Sequence, residues 1–503
     1  MKPVNSFVIS LFAIMSCAQI ANAQDVTIKY GKIEGNKQDN SIKYLGIPYA
    51  SAPIGEKRWT EPTAPQNWSG TLKADKYGAS CVQSLSATLK ATSREEPMGK
   101  ESEDCLFANV FVPKNGGKNL PVMVWIHGGA NRIGSSSNPI YDGDKFARDG
   151  VILVSFNYRL GLFGYFDHKA FATDKNYNGN FGTLDQIAAL KWVNENIEAF
   201  GGDKSNVTIF GESAGGGAVL NLMTLPQAQG LFQKAIVESG GGWQKFKTRE
   251  EFSTEITSKM ETMGIAANSS IADLKAIPAD KLSQFDSGMG FGPYIDNKLV
   301  KTDVATAFAN SQSTKVPLII GSNSNESSLM DRFGLKPTAI FANPQSKKLA
   351  DMLYDGQNLD DTQKARKFFT DSVFAAPAYT IARDHSVNNK TYFYNFSYLA
   401  QIMRGRADGV GHGGEIPYVF ETFSSIARIA PFLTPRDNEQ QAIVHTMWVN
   451  FAKSGTPSAN SIEWKELKKD APSMMSFDDN NQNKPIANAT KYEAIEKALK
   501  TQN

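Results

Sequence analysis

Gly211-Glu212-Ser213-Ala214-Gly215 sets a serine between two glycines, each two residues away from it. A serine so flanked can occupy a sharp strand-to-helix turn, where side chains at the glycine positions would clash with the backbone. The turn lifts the hydroxyl clear of a sheet and aims the N-terminus of the next helix at it, which suits attack on a carbonyl carbon. In a chain with 41 glycines the pattern also arises by chance. Its surroundings give it weight: residues 206–210 (NVTIF) read as a strand, and the GGAVLNLM that follows Gly215 is compatible with a helix.

Such a serine needs a base, an acid to support the base, and donors for an oxyanion. The chain has five histidines, His127, His168, His385, His412 and His445. His412 lies in Gly409-Val410-Gly411-His412-Gly413-Gly414-Glu415, a glycine-rich loop well downstream of the serine, which fits the order serine, acid, histidine. His445 falls in an apolar helical stretch and reads as a packed residue. His168 and His385 lie in polar segments without glycines and read as surface. The acid must fall between 213 and 412. Glu326 follows a strand end, but spacing alone sets it little ahead of the other acids there. His127-Gly128-Gly129-Ala130 leaves another strand, and small residues there would let backbone N–H groups approach a substrate carbonyl. The same glycines also suit an ordinary turn.

These residues need a sheet to hold them. Residues 120–127 (LPVMVWIH), 150–157 (GVILVSFN), 206–210 and 234–237 read as strands buried on both faces. Residues 182–200 carry apolar positions at helical spacing and stop at Gly201-Gly202. Strand, helix, strand in that order predicts a mostly parallel sheet flanked by helices, an α/β fold. After about residue 245 the chain becomes more helical and polar, with strands returning near 316–321 and 391–397. Long helical insertions over the active edge are expected. No repeat or linker divides the chain, so residues 24–503 read as a single domain.

Composition narrows the partners. Of 503 residues, 53 are Lys or Arg and 51 Asp or Glu, for a net charge of +2. A surface for nucleic acid or a polybasic membrane contact would need clustered cations, and pairs such as Lys347-Lys348 and Lys468-Lys469 read as solvated surface. Residues 1–23 carry one charge, a short apolar run and an Ala21-Asn22-Ala23 cleavage site, and read as an export signal. A lipoprotein signal ending at Cys17 is the lesser alternative. No other stretch is apolar enough to span a membrane. Loss of the signal leaves Cys81 and Cys105, which read either as a disulfide in an exported protein or as two buried thiols.

The residues then resemble the type B carboxylesterase family, relatives of cholinesterases and bacterial para-nitrobenzyl esterases. The resemblance runs through Tyr44-Leu45-Gly46-Ile47-Pro48-Tyr49-Ala50, Ser102-Glu103-Asp104-Cys105-Leu106, Asn157-Tyr158-Arg159-Leu160-Gly161, the serine turn, GVGHGGEIPYVF from Gly409, and Trp448-Val449-Asn450-Phe451-Ala452. It implies an α/β-hydrolase fold with Ser213 as nucleophile, Glu326 as acid and His412 as base. It implies an oxyanion hole from the N–H groups of Gly129, Ala130 and Ala214, with Glu212 and Ser239 just behind the triad. It also implies a Cys81–Cys105 disulfide and structural ion pairs Arg58–Glu103 and Arg159–Asp185. The reaction implied is hydrolysis of small to medium esters through an acyl-enzyme, with no metal or organic cofactor. A long-chain lipase and a catalytically silent binding module are the alternatives, and the intact triad weighs against the second. Where the family usually carries aromatic residues after the H-G-G-A run, this chain has Asn131 and Arg132. They are candidate substrate contacts, Arg132 for a carboxylate-bearing ester, and choline-type recognition is not carried over. The expected partner is a small-molecule ester; oligomeric state is not read, although a monomer is compatible.

Overall fold

A strand covered on both faces must be apolar at every position, so alternate residues should fall into two separate cores. The computed structural model, which describes residues 25–83, 99–172, 177–285, 290–459 and 461–500, shows that division. From β8 (Leu120–Ile126), Val122, Val124 and Ile126 enter one core while Met123 and Trp125 enter the other. The helix Phe181–Asn196 covers the first face through Ile187, Leu190, Trp192 and Val193. The helix Pro435–Ser454 covers the second through Val444, Met447, Trp448 and Phe451. The proposed export signal and Cys17 lie outside the described residues.

Seven strands form the parallel centre, in the order β9 (Ile152–Phe156), β8, β10 (Gly202–Glu212), β11 (Lys234–Glu238), β12 (Leu318–Asn323), β13 (Thr391–Phe396) and β14 (Ser473–Phe477). Each strand expected from the apolar runs is present, with no end shifted by more than four residues. The helix after β9 closes through a 3-10 turn onto Gly201, whose φ of 86° is the left-handed stop expected there.

The sheet is larger than the apolar runs imply. β1 (Asp25–Ile28), β2 (Gly31–Lys37), β3 (Ser41–Pro48) and β7 (Phe107–Pro113) extend it antiparallel on one side, and β15 (Gln482–Pro485) does so on the other. β4 (Thr71–Ala74) pairs with β2. β5 (Ser80–Cys81) and β6 (Glu101–Ser102) form a separate two-stranded pair beside the Cys81–Cys105 disulfide. The bridge spans 24 residues, a closure worth about 3 kcal/mol in the chain-entropy model.

The two ion pairs are also formed. Arg58 is bidentate to Glu103, and Arg159 holds the fully buried Asp185 at 2.8 Å. Their charges are absorbed in structure and are not available for chemistry.

Candidate active site

β8 and β10 are neighbours, yet the chain leaves β8 for one side of the sheet and β10 for the other. A crevice opens at the carboxyl ends of two strands that diverge in this way. Register aligns the relevant ends. Gly211 lies opposite Ile126, Glu212 opposite Glu238, and Glu238 opposite Gly321. Ser213, Ser239 and the loop after β12 therefore leave the sheet at one edge.

Ser213 caps the helix Ala214–Thr224 with φ 56° and ψ −124°, a strained turn costing about 1–3 kcal/mol. The glycines permit it: a Cβ on Gly215 would lie 1.9 Å from the Ile126 carbonyl oxygen, and one on Gly211 2.6 Å from the same atom. The Ser213 N–H donates to the Glu238 carbonyl at 2.9 Å, tying the turn to β11.

The histidine loop is sewn to the acid loop. Asn325 and Gly411 form an isolated parallel bridge, and the Asn325 N–H donates to the Val410 carbonyl at 2.9 Å. The N–H groups of Val410 and His412 donate to Ser324 Oγ and Ser328 Oγ. This brings His412 Nε2 to 2.7 Å from Ser213 Oγ and His412 Nδ1 to 2.6 Å from Glu326 Oε2. Glu326 is fully buried, and its other oxygen accepts from Ser239 Oγ and the Asn323 N–H, both at 2.6 Å. Ser213, His412, Glu326 and Ser239 are thus together. Glu212 joins them, with Oε1 3.2 Å from His412 Nε2.

Two further buried carboxyls crowd the site. Glu415 pairs with Asn323 Nδ2 and lies 3.3 Å from Ser239 Oγ, while Glu238 accepts from Trp448 Nε1 at 2.7 Å. Burial, then the Glu212 and Glu326 carboxylates, push Glu415 up to about 8, so it keeps its proton at neutral pH. The hydrogen bonds fit that state. Ser239 has one hydroxyl proton and spends it on the closer Glu326, leaving its lone pairs for a protonated Glu415. Burial likewise raises Glu238, and Glu415 adds to the effect. For His412, burial alone would favour the neutral ring, but the nearby Glu212 and Glu326 carboxylates outweigh it and hold the imidazole above its ordinary 6.5. Phe374, from the π-helical turn Thr370–Ala375, covers that ring at 5.0 Å between centroids.

The loop after β8 lies against the serine. A Cβ on Gly128 would stand 2.7 Å from the Glu212 carbonyl oxygen and 3.0 Å from Ser213 Cβ. Gly129, Ala130 and Asn131 all have positive φ, at 109°, 55° and 54°. His127 shapes the loop: its ring stacks on Tyr158 and its Nδ1 contacts the Gly128 carbonyl. Burial lowers this histidine to about 4, so it is neutral and Nδ1–H is the donor. Asn131 Nδ2 donates to the Phe291 carbonyl at 3.0 Å. Arg132 is 7% exposed, so it is not turned out into solvent.

Two histidines differ from expectation. His168 and His385 are buried, not on the surface. His168 caps a 3-10 turn by accepting from the Ala170 N–H, and His385 Nε2 meets the Val316 carbonyl at 2.9 Å. Polar neighbours in sequence hid this: Lys169 is exposed and Arg383 and Asp384 are half-buried, while Asp167 is taken inside with His168. His445 is packed as expected, with Nδ1 at the Val419 carbonyl. Glu238, Glu415, Asn323, Ser328 and Phe374 were not singled out from sequence as parts of the site. The signal available was a charged residue closing an apolar strand, for Glu238, and one in the histidine loop, for Glu415. Among the described residues no cluster of His, Cys, Asp and Glu could hold a metal, and no helix is long and apolar enough to cross a membrane.

The strand order, the strained serine turn and the loops at its edge define an α/β hydrolase. More narrowly, the chain belongs to the carboxylesterase family, whose model matches residues 22–496, and its class of reaction is carboxylic ester hydrolysis. It is 36% identical over 463 residues to a para-nitrobenzyl esterase of Bacillus subtilis, covering 88% of this chain and 92% of that protein. It is 30% identical to a fumonisin B1 esterase of Sphingopyxis macrogoltabida, covering 90% and 86%. A solved thermophilic PNB esterase superposes with a TM-score of 0.82 at 33% identity, covering 94% of this chain and all of that one.

Proposed function

We propose that the protein hydrolyses small to medium carboxylic esters with Ser213 as nucleophile, His412 as general base and Glu326 as the supporting acid. The observation that carries this reading is the unbroken line from Ser213 Oγ through His412 to Glu326, at 2.7 and 2.6 Å. His412 takes the Ser213 proton as Oγ attacks the ester carbonyl, and Glu326 stabilises the imidazolium. The N–H groups of Gly129, Ala130 and Ala214 receive the oxyanion, aided by the helix that starts at Ala214. The imidazolium then protonates the leaving alcohol. Water activated by His412 releases the acid from the acyl-enzyme. Residues 24–503 act as one catalytic unit in this reading, and residues 1–23 are its export signal.

The base works only when neutral, so activity is lost as pH falls through the His412 pKa and returns as pH rises past it. Because the carboxylates raise that pKa, the acid limb of kcat/KM should have its midpoint above 6.5. Glu212→Gln removes one negative charge beside Nε2 and should move the limb to lower pH. An unmoved limb would mean that the Glu212 charge does not act on the base.

Chain-length preference tests the substrate class. Turnover of p-nitrophenyl esters should be greatest for short and medium acyl chains. A steep gain on emulsified long-chain esters would favour a lipase instead.

A further inference from the structure

The proposed oxyanion loop holds two successive non-glycine residues, Ala130 and Asn131, at φ of 55° and 54°. L-residues avoid this region, and a pair of them persists only where the surroundings over-determine the backbone. Short hydrogen-bonding side chains such as asparagine tolerate it best, whereas alanine has no such help. The loop's internal bonds, from the Arg132 and Ile133 N–H groups to the Gly129 carbonyl, close the turn but do not anchor it to the body of the protein.

Asn131 supplies that anchor on two sides. Its carbonyl accepts from the Gly161 N–H at 2.7 Å, and its side-chain Nδ2 donates to the Phe291 carbonyl at 3.0 Å. The amide packs closely there, since a Cβ on Gly292 would stand 3.3 Å from Nδ2. The receiving segment is itself fixed. Asn180, at the start of the helix Phe181–Asn196, exchanges bonds with both the N–H and the carbonyl of Tyr294. Ile295 pairs with Lys247 and Arg249 through the backbone.

We propose that Asn131 is a positioning residue that locks the Gly129 and Ala130 N–H groups in place by latching their loop to the Phe291–Tyr294 segment, rather than a contact for substrate. This rests on the proposed acyl-transfer reading, in which those N–H groups receive the oxyanion. A latch of this kind acts where charge develops, so its loss lowers kcat and leaves KM nearly unchanged. A substrate contact would do the reverse.

The test uses Asn131→Asp, which keeps size and left-handed tolerance but turns the donor into a carboxylate facing a carbonyl. Asn131→Gly, which tolerates φ 54° and removes the side chain, serves if the first variant folds poorly. On a neutral ester, kcat should fall about ten- to hundredfold, less than the full loss of one oxyanion donor, with KM within about twofold. A carbon-13-labelled trifluoromethyl ketone gives a second readout, because its adduct with Ser213 is a hemiketal whose oxygen ionises more readily when the donors are in place. The wild-type adduct should be ionised at neutral pH, and the variants' adducts only at higher pH. Unchanged kcat and ionisation in the variants, or a raised KM at constant kcat, overturns the latch. A wild-type adduct that is not ionised at neutral pH overturns the oxyanion reading itself, and the latch with it.

Discussion

Ser213→Ala should abolish ester hydrolysis, with a loss on the order of a millionfold, because no covalent step remains. What residual rate survives would come from the oxyanion donors and binding alone. The fold should be unaffected. The hydroxyl bonds His412 Nε2, and once the ring is protonated that nitrogen can pair instead with Glu212 Oε1, 3.2 Å away. A fluorophosphonate should label the wild type once, with the adduct mapping to the peptide that carries Ser213. Full activity in the alanine variant, or an adduct mapped elsewhere, removes Ser213 as nucleophile.

Glu326→Gln should lower kcat by about a thousand- to ten-thousandfold, and the reason is a tautomer. Glu326 uses one oxygen for Ser239 Oγ and the Asn323 N–H and the other for His412 Nδ1. In glutamine the carbonyl oxygen suits the first pair of donors, which leaves the amide NH₂ facing Nδ1. An N–H donor there selects the ring form with its proton on Nε2, and that form cannot accept from Ser213. Stability should change far less than rate, because the variant keeps its volume and most of its bonds. A glutamine variant with near wild-type turnover would place the acid elsewhere between residues 213 and 412.

The parts of this molecule readable from sequence are those where one local pattern has one physical meaning. β8 through β13 announce themselves because strands covered on both faces must be continuously apolar. The serine turn is readable because only glycine fits beside the Ile126 carbonyl. The antiparallel wing is harder: β2 reads GKIEGNK, with an interrupted apolar alternation, so it lacks the continuous apolar run of the central strands even though its partners β1 and β3 are next to it in the chain. Glu326 could not be separated from other acids by spacing, since what distinguishes it is burial beneath His412. Glu238 and Glu415 escaped for a related reason. Burying carboxyls in one cluster contradicts the usual rule for charge, and becomes tolerable only when protons are retained.

The stitching of the histidine loop to the acid loop bears on how the site can fail. Surface loops commonly open by themselves, at a fraction of the energy needed to unfold the whole. Here the amides of Asn325, Val410 and His412 are all engaged across the two loops, and Asn323, the last residue of β12, donates to the Gly411 carbonyl. A fluctuation that released the imidazole would have to break a strand terminus as well. His412 and Glu326 therefore belong to one cooperative unit with the sheet, and esterase activity should melt with the core rather than ahead of it.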